Sequence, residues 1–468
     1  MGGPDPSNLI RVMPAKETEM KDDDKGMSAL GCGLVWFGAA VSIAEIEAGA
    51  ALAPAAVGGR GWSVLGAVLL GHLLGGALLF LAALLGARTR RGAMDCAKVP
   101  FGRLGGGFFA ALNLLQLVGW TAVMVAQGAG AAGELFGGRV PFGAVCAGIG
   151  LLVAVWIYVG LRGVGKINSV AMALLFALTV ALTFVVLGDI GAKGRSGLPG
   201  NPIEPMEGPV FWFVFEVSAA MPLSWLPLAA DYTKDARRPF AACAAAAGVY
   251  SLVSCWMYGV GLMSAALSGG RTVAGAMAAA GLGAAALLVV VFSTVTTTFL
   301  DAYSAGESAR SIWSRIPAKP FGVAVCALGT FLAALGAMDR YLDFLYLIAS
   351  VFAPMAAVLL VDGFLARRRP NSADSANSAC DLSANHACKL SANSAWNFAA
   401  WAAGFAVYHA CLGADSPLAA AVPAAAGALG GWSSPAGATL PSMAVSALLA
   451  LPAAFAAGRR PRSRSISA

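Results

Sequence analysis

The sequence predicts an all-α integral membrane protein with about twelve transmembrane helices. Hydrophobic residues make up 58% of its 468 residues and charged residues only 12%, a composition too apolar for a soluble globular domain. Apolar stretches of roughly 18 or more residues, long enough to cross a bilayer as a helix, recur along nearly the whole chain. Lysine and arginine fall between these stretches and not within them. Together the three observations indicate a multi-pass membrane protein.

The apolar stretches define twelve predicted spans. They lie at 28–54, 63–87, 105–135, 140–161, 167–188, 209–230, 240–268, 274–301, 320–337, 341–365, 396–413 and 440–458. The polar segment before the first span lacks the basic region and short apolar core of a cleaved signal peptide. We therefore expect the first span to remain in the protein.

The basic residues predict how the spans are oriented. With a cytoplasmic N-terminus, 25 of the 31 lysines and arginines fall in cytoplasmic segments and six in outer loops, and the bias alternates loop by loop. We expect a multi-pass protein of the bacterial inner membrane with both termini in the cytoplasm. The basic clusters behind the net charge of +7 are expected to lie near anionic membrane lipid, so we expect no nucleic-acid partner.

Five regions follow from the spans and the polar segments between them. A cytoplasmic tail (1–27) precedes a ten-helix core (28–366). A cytoplasmic linker (367–395) contains the octad repeat SANSACDL, SANHACKL, SANSAWNF, which is low in hydrophobicity and is predicted to be disordered. Two peripheral helices (396–458) and a basic cytoplasmic tail (459–468) complete the chain.

The cysteines predict neither disulfides nor a metal site. All nine are scattered, most of them inside apolar spans, and no C-x-x-C pair occurs. Cys380, His386 and Cys388 of the octad repeat arise from one repeated unit and lack a fourth ligand. We expect the cysteines to be buried small hydrophobic residues.

Two of the spans are interrupted near their middle. Span one reads VSIAEIEAGAALAP and span six reads SAAMPLSWLPLAADYT at that point, and the two spans start from opposite sides of the membrane. Broken helices at matching positions of two five-helix halves are typical of inverted-repeat transporters, whose binding site lies at the midplane. Spans eleven and twelve would then be peripheral.

Three glutamates fall inside these interrupted spans, where a charge costs roughly 2.5 to 3.5 kcal/mol. Glu45 and Glu216 lie beside the helix breaks, where freed backbone groups can stabilise them or where they can carry protons. The alternative is that one of them is an interhelical hydrogen-bond partner. Glu47 is expected to point to the outer vestibule.

Span three carries a face suited to a flat heteroaromatic ligand. Gln116, Trp120 and Gln127 are spaced so that they lie along one side of a helix. An indole supplies a stacking surface and an amide supplies recognition of the ring edge. The alternative is that Trp120 only fills space between helices.

Span eight contains five hydroxyl side chains within six residues, from Ser293 to Thr298. Such hydroxyls often bond to the carbonyls of their own helix. They can also be oxygen ligands of a small cation, together with carbonyls freed by the break in span one. The spacing alone leaves both interpretations open.

Taken together, these strings resemble the nucleobase cation symporter-1 family. The resemblance lies in WFGAAVSIAEIEAGAALAP, GHLLGGALLFLAALLGA, LLQLVGWTAVM, MPLSWLPLAADYT and STVTTTFLDAYSA, and it covers residues 28–366. More narrowly, they resemble the CytX branch of cytosine/purine-type permeases, the hydroxymethylpyrimidine transporters. The resemblance implies a LeuT-type fold, a 5+5 inverted repeat, here followed by two peripheral helices.

The resemblance also implies a sodium site between spans one and eight. By position, Gly38 and Val41 offer backbone carbonyls, and Ser293 and Thr294 offer hydroxyls to the ion. Sodium is therefore the expected co-transported ion, and a proton carried by a glutamate is the alternative.

The resemblance places several residues at the substrate. Trp120 matches the family tryptophan that stacks on the base, and Ser42 and Ser224 match positions that face the substrate. The family amide one turn after this tryptophan is Met124 here. The pocket is thus expected to differ from that of hydantoin or cytosine carriers.

Spans six and eight depart from the family pattern as well. The sixth-span aromatic falls at Pro222, so the second stacking surface is absent or is supplied by Trp225. The polar contacts of span eight fall at Thr296 and Thr297. We expect Glu45 and Glu216 to compensate, because a carboxyl group matches the amine and ring nitrogen of an aminopyrimidine.

These observations predict a secondary active importer that moves an aminopyrimidine by alternating access, with hydroxymethylpyrimidine for thiamin synthesis as the first candidate. Cytosine, a purine or allantoin is the alternative substrate. An intramembrane hydrolase is disfavoured, because the chain lacks paired-aspartate, HExxH and GxSxG signatures and its three histidines lie far apart. A channel is disfavoured by the paired broken helices. We therefore expect a transporter and not an enzyme.

Overall fold

The structure, a computed structural model, describes residues 26–56, 60–163, 206–267, 283–336, 341–366, 392–418, 434 and 436–457, with isolated positions between 173 and 188. These residues form helices and connections, and the one β feature among them is an isolated bridge between Met27 and Ala236. The helices are α1 (Ala29–Ala40), α2 (Ile43–Ala50), α3 (Gly61–Thr89), α4 (Ala93–Leu135), α5 (Phe142–Gly163), α6 (Gly208–Ser224), α7 (Leu226–Thr233), α8 (Pro239–Leu267), α9 (Gly283–Ile312), α10 (Ala318–Ala334), α11 (Tyr341–Leu365), α12 (Ala392–Leu412) and α13 (Thr439–Ala457).

Described helices overlap eleven of the twelve predicted spans. The largest difference is in span eight, predicted at 274–301, whose described helix α9 runs from Gly283 to Ile312. Spans one and six are each formed by two helices, α1 with α2 and α6 with α7. The fifth predicted span, 167–188, lies mostly outside the described residues, as do the two tails and the first two octads of the linker. The third octad, SANSAWNF, forms the start of α12 from Ala392, so the predicted disorder is wrong for that octad.

Within the described part of the chain, six segments are long and apolar enough to cross a membrane. They are Gly61–Thr89, Ala93–Leu135, Gly208–Thr233, Pro239–Ala265, Leu342–Leu365 and Thr439–Ala456. The pair α1 and α2, bent by 51° at its break, makes a seventh. Large apolar side chains such as Leu73, Leu115 and Leu252 are 66–71% exposed, and in a bilayer such side chains contact lipid. The described helices therefore fit a bundle with an apolar outer surface.

Gly102 divides α4 into two parts. Its φ of +69° is accessible to glycine at little cost, and the helix path changes direction there. A short helical segment before Gly102 is thereby separated from the membrane span that the sequence predicts from 105 onward.

Close packing joins the helices that carry the predicted site. α9 runs along α4, α1 and α2 both pack against α8, and α3 packs against α6 and α8. α12 and α13 pack against each other and against α11, with α12 also touching α4. The last two helices therefore lie against one side of the bundle. The seven described cysteines are all unpaired.

A polar network ties the ends of α3, α7 and α9 together on the predicted cytoplasmic side. Lys234 forms an ion pair with Glu307 at 2.5 Å, and Arg90 donates to the carbonyl oxygens of Lys234 and Ala236. The buried Asp231 accepts from the backbone N–H of Ala93 at 2.9 Å. These contacts hold the segment after α7 against its neighbours.

Candidate functional site

The first helix break frees backbone groups in the middle of the bundle. α1 ends at Ala40, and Val41 and Ser42 then leave the helical conformation, with Ser42 fully extended. The Ser42 hydroxyl accepts from the backbone N–H of Glu45 at 3.3 Å and so caps α2. The carbonyl oxygen of Gly38 accepts from the Thr297 hydroxyl at 3.4 Å, which brings α9 to the break.

The second break lies between α6 and α7 at Trp225. Pro222 and Pro227 flank it, and a proline inside a helix removes a backbone hydrogen bond. The Ser224 carbonyl, left without its helical partner, accepts from Gln116 Nε2 of α4 at 3.0 Å. The amide of Gln116 therefore satisfies the broken end of α6.

A small cavity lies between the two breaks, with walls formed by α2, α4, α6, α7 and α9. Its lining residues are Ser42, Ala44, Glu45, Gln116, Trp120, Met124, Met221, Ser224, Trp225, Leu228, Thr297 and Asp301.

The structure brings most of the predicted substrate residues into this cavity. Those that line it are Ser42, Glu45, Trp120, Met124, Ser224, Trp225 and Thr297, together with Gln116 of the predicted ligand face. Gln127 of that face does not line it. The predicted residues therefore converge from four helices that are distant in sequence.

Glu216 lies elsewhere. Its Oε1 accepts from the backbone N–H groups of Ala438 and Thr439 at 2.9 Å each, and its Oε2 accepts from the Thr439 hydroxyl. These are the first groups of α13, whose N–H donors have no partner inside the helix. Glu216 caps α13 and does not line the cavity, which corresponds to the interhelical role left open by the sequence.

Pro222 and Thr296 also point away from the cavity. A Cβ added to Gly75 of α3 would lie 3.1 Å from Pro222 Cβ, so the proline ring packs against α3. The Thr296 hydroxyl donates to the carbonyls of Phe292 and Ser293 in its own helix. Thr296 therefore bonds to carbonyls of its own helix, which is one of the two interpretations that the sequence left open for the hydroxyls of span eight.

Asp301 lines the cavity and was not among the predicted site residues. It is 3% exposed and makes no hydrogen bond or ion pair with any described residue. It lies one helical turn after Thr297, and a carboxyl group at the end of an apolar span is costly unless it is used. Its position one turn after Thr297 was the feature of the sequence that could have identified Asp301 as a site residue.

The cavity presents acceptors that lack donors. Besides Asp301, the Oε1 atom of Gln116 is buried and has no partner among the described residues. Glu45, in contrast, accepts from the Tyr250 and Ser254 hydroxyls at 2.6 Å each. Because buried acceptors without donors are destabilising, the cavity favours a ligand rich in N–H or O–H groups.

Two indole rings complete the cavity wall. Trp120 meets Phe344 edge to face, with ring centroids 5.6 Å apart. Trp225 meets Trp36 at 5.5 Å and Tyr250 at 6.1 Å, also edge to face. Both rings are held by neighbouring aromatics, so each offers a preoriented surface to a flat ligand.

The predicted sodium ligands fit a small cation in part. Ser293 and Thr294 are both buried, and the Thr294 hydroxyl has no hydrogen-bond partner among the described residues. Gly38 and Val41 lie at the end of α1, and the contact from Thr297 to Gly38 places α9 beside it. Thr294 therefore offers an unpartnered hydroxyl oxygen on the helix that contacts the break, and oxygen is the ligand atom that a hard cation prefers.

Clusters suited to other metals are not found in the described ranges, where no three His, Cys, Asp or Glu side chains come together. Cys380, His386 and Cys388 lie outside these ranges.

Residues 25–433 match the family model for permeases for cytosine/purines, uracil, thiamine and allantoin. Among curated protein sequences no relative matches the chain.

Several solved transporters are similar to the chain in structure. Mhp1, a nucleobase-cation-symport-1 family transporter in a closed conformation with bromovinylhydantoin bound, has 18% identity and a TM-score of 0.70, covering 91% of this chain and 92% of Mhp1. A Na+-coupled sialic acid symporter, in a substrate-bound outward-open state, has 12% identity and a TM-score of 0.62, covering 92% and 89%. A manganese transporter of Eremococcus coleocola has 14% identity and a TM-score of 0.54, covering 90% and 94%.

At these identities the likenesses establish the fold. The predicted LeuT-type inverted repeat with two peripheral helices is confirmed, and so is the predicted resemblance to the nucleobase cation symporter-1 family.

Proposed function

The chain belongs to the family of permeases for cytosine/purines, uracil, thiamine and allantoin, and from this premise we propose that it imports an aminopyrimidine by secondary active transport. Because the family consists of permeases, the protein is a transporter and not an enzyme. The proposed substrate is hydroxymethylpyrimidine, the pyrimidine precursor of thiamin, and the proposed setting is the bacterial inner membrane with both termini in the cytoplasm.

The observation that carries the proposal is a set of acceptors without donors that lines the same cavity as two indole rings. The Asp301 carboxyl group and Gln116 Oε1 have no donors among the described residues, and Trp120 and Trp225 flank the same cavity. An aminopyrimidine supplies a flat ring for stacking and an exocyclic amine for the acceptors. Its hydroxymethyl arm finds hydroxyl groups at Ser42 and Ser224.

Alternating access is proposed to occur around this cavity. The breaks in spans one and six meet there, and one broken helix contacts α9 through Gly38 and Thr297. Rocking of one five-helix unit against the other would then open the cavity to either side of the membrane in turn.

Sodium is proposed as the coupling ion, held by the Ser293 and Thr294 hydroxyls and the carbonyls of Gly38 and Val41. The unpartnered Thr294 hydroxyl supports this assignment. A proton carried by Glu45 is the second candidate, favoured by the hydrogen bonds of that carboxyl group.

Uptake of labelled hydroxymethylpyrimidine into proteoliposomes tests the substrate. We expect saturable uptake that unlabelled hydroxymethylpyrimidine abolishes and that cytosine, purines and allantoin inhibit weakly. Stronger inhibition by any of these three compounds would transfer the assignment to that compound. Proteoliposomes that contain a Trp120→Ala variant are the control for specific binding.

Ion replacement in the same assay tests the coupling. We expect uptake to fall when choline replaces sodium at constant pH. Uptake that is unchanged without sodium but collapses when the proton gradient is dissipated would reverse the order of the two ions.

A further inference from the structure

Glu45 connects the cavity to a chain of buried polar groups behind it. The Tyr250 hydroxyl donates a hydrogen bond to Glu45 Oε1, and the Ser254 hydroxyl contacts Glu45 Oε2, each at 2.6 Å. The Ser254 hydroxyl oxygen lies 2.6 Å from His72 Nε2, and His72 Nδ1 lies 3.0 Å from the carbonyl oxygen of Val68. Glu45, Ser254 and His72 are each at most 1% exposed. The chain therefore runs from the cavity wall on α2 through α8 to α3.

The number of hydrogens in this chain follows from its acceptors. A backbone carbonyl only accepts, so Nδ1 of His72 must carry a hydrogen to bond Val68. The contacts from Nε2 to the Ser254 hydroxyl and from that hydroxyl to Oε2 then need one hydrogen each. The serine supplies only one of them. The other must come from a protonated Glu45 or from a second N–H on His72.

We propose that Glu45, Ser254 and His72 form a binding site for one proton. The carboxyl and imidazole groups share this proton through the serine hydroxyl, and we call the three residues the proton relay. In one form Glu45 donates to Ser254, and Ser254 donates to a neutral His72. In the other form an imidazolium donates to Ser254, and Ser254 donates to a carboxylate. Moving the proton from one form to the other reverses both hydrogen bonds and leaves the total charge at zero.

Loss of the proton is unfavourable for two reasons. It leaves a single negative charge buried in the bundle, and it places two lone pairs against each other across one 2.6 Å contact. In the described part of the chain no lysine or arginine reaches Glu45, so no fixed cation replaces the proton.

Other titratable groups surround the relay without forming part of it. Tyr250 and Cys255 of α8 face Glu45, Tyr258 packs edge to face on His72, and Asp301 lies across the cavity. Glu47 is exposed and interacts with Glu134 instead.

The helices hold the relay at hydrogen-bond distance. α2 lies so close to α8 that a Cβ added to Gly49 would be 2.5 Å from Tyr258 Cα. The Tyr258 ring in turn meets the His72 imidazole at 4.8 Å. Small residues at such contacts let backbones approach closely, which fixes the spacing of Glu45 and Ser254.

The relay gives Glu45 two ways to meet a ligand, and this consequence rests on the proposed function. With the proton on His72, Glu45 is a charged acceptor and matches the amine of an aminopyrimidine. With the proton on Glu45, the carboxyl group is neutral, its hydrogen is directed to Ser254, and it is a weaker acceptor for the amine. Binding of the amine is therefore expected to move the proton from Glu45 to His72.

Nitrogen-15 NMR of histidine-labelled protein in detergent tests the site without any substrate. The chain has three histidines, so subtraction of a His72→Gln spectrum assigns the His72 ring. We expect the His72 resonances and the infrared band of the protonated Glu45 carboxyl group to change with one common midpoint as pH is raised. In Glu45→Gln, His72 is expected to stay neutral, with its hydrogen on Nδ1, throughout the pH range in which the unchanged protein titrates.

Variants of two serines on α8 separate the relay from general packing. Ser254→Ala removes the shared hydroxyl, and we expect the imidazole and the carboxyl group to titrate with separate midpoints. Ser251→Ala is the matched control, because the Ser251 hydroxyl is buried on the same helix without a partner among the described residues. It is expected to titrate like the unchanged protein.

Two results would overturn the proposal. One is a His72 ring that titrates identically in the unchanged protein and in Glu45→Gln. The other is a common midpoint that survives in Ser254→Ala. If Glu45→Gln does not fold, the Glu45 infrared band in His72→Gln answers the same question, since it must then titrate alone.

Addition of hydroxymethylpyrimidine separates this proposal from the proposed function. Binding that converts His72 to imidazolium while the carboxyl band disappears supports both. No binding together with a common midpoint overturns the proposed substrate and supports the relay. Binding to a protein without a common midpoint overturns the relay alone.

Discussion

Single residues set the chemistry of the cavity through the hydrogen-bond acceptors that line it. Asp301 comes from α9 and Gln116 from α4, and neither Asp301 nor Gln116 Oε1 has a donor among the described residues. Glu45 from α2 is already bonded to two hydroxyls. Asp301 and Gln116 Oε1 therefore still need a hydrogen-bond donor from a ligand, whereas Glu45 already has two donors.

Replacement of Asp301 tests the strongest of these acceptors. Asp301→Asn keeps the size of the side chain but replaces one acceptor oxygen with an N–H donor. We expect affinity for hydroxymethylpyrimidine to fall about 10- to 100-fold, because a buried amine left without its acceptor costs about 1–3 kcal/mol. Competition binding to purified protein measures the change. Asp235→Asn, at an exposed position after α7, is the control, and an unchanged Kd in Asp301→Asn would remove Asp301 from the substrate site.

The packing of one helix against another decides which side chains can bind the ion. α4 and α9 approach so closely at Gly128 that a Cβ there would lie 2.7 Å from the Thr294 hydroxyl oxygen. Glycine at this position leaves room for the threonine to keep its orientation. The proposed sodium site thus depends on a residue that binds nothing itself.

Gly128→Ala is expected to displace the Thr294 hydroxyl. The sodium concentration for half-maximal uptake should rise about 10-fold, as for other residues that orient a metal ligand. Gly130→Ala is the matched control on the same helix, because a Cβ there meets nothing within 4 Å. Equal sodium dependence in the two variants would contradict the role of Thr294.

The start of α13 depends on Glu216 in the same way. Thr439→Val removes the hydroxyl that donates to Glu216 Oε2 and leaves a buried carboxyl group with one donor fewer. We expect a loss of about 1–3 kcal/mol in stability, seen as a lower thermal midpoint in detergent, with unchanged affinity for hydroxymethylpyrimidine. Ser442→Ala is the control, since its buried hydroxyl on α13 has no described partner. A changed affinity in Thr439→Val would indicate that Glu216 belongs to the substrate site.

Orientation in the membrane is a property of the whole molecule. Arg315 lies between α9 and α10, and Arg139 lies between α4 and α5, so the positive-inside pattern predicts opposite sides for them. In a cysteine-free background, Arg315→Cys should react with an impermeant thiol reagent only in inverted vesicles and Arg139→Cys only in intact cells. The reverse pattern would invert the proposed topology.

Most of the membrane architecture could be predicted from the sequence because it depends on local properties. In a bilayer each segment must satisfy its own backbone hydrogen bonds, so apolar length alone indicates a helix. The two breaks were also visible in the local sequence. Ser42 and Glu45 interrupt the apolar run of span one, and Pro222 and Pro227 flank the break in span six. The family motifs lie at the same breaks, which is why the resemblance was detectable.

The site was predicted in part, and the failures share one cause. Glu45, Trp120 and Thr297 line the cavity, whereas Glu216 caps α13. Asp301 was missed although it lies one turn after Thr297. In a helix of apolar residues on all sides, the sequence does not mark which face is turned inward.

The sequence by itself determined the helices, their breaks, their family and the residue types available at the breaks. Only the tertiary structure decided that Glu45 meets Ser254 and His72, that Glu216 meets α13, and that Asp301 has no described partner. Glu45 and Ser254 are more than 200 residues apart, and close helix packing brings them within 2.6 Å. Such contacts depend on how helices rotate and pack against one another, which no local property of the chain encodes.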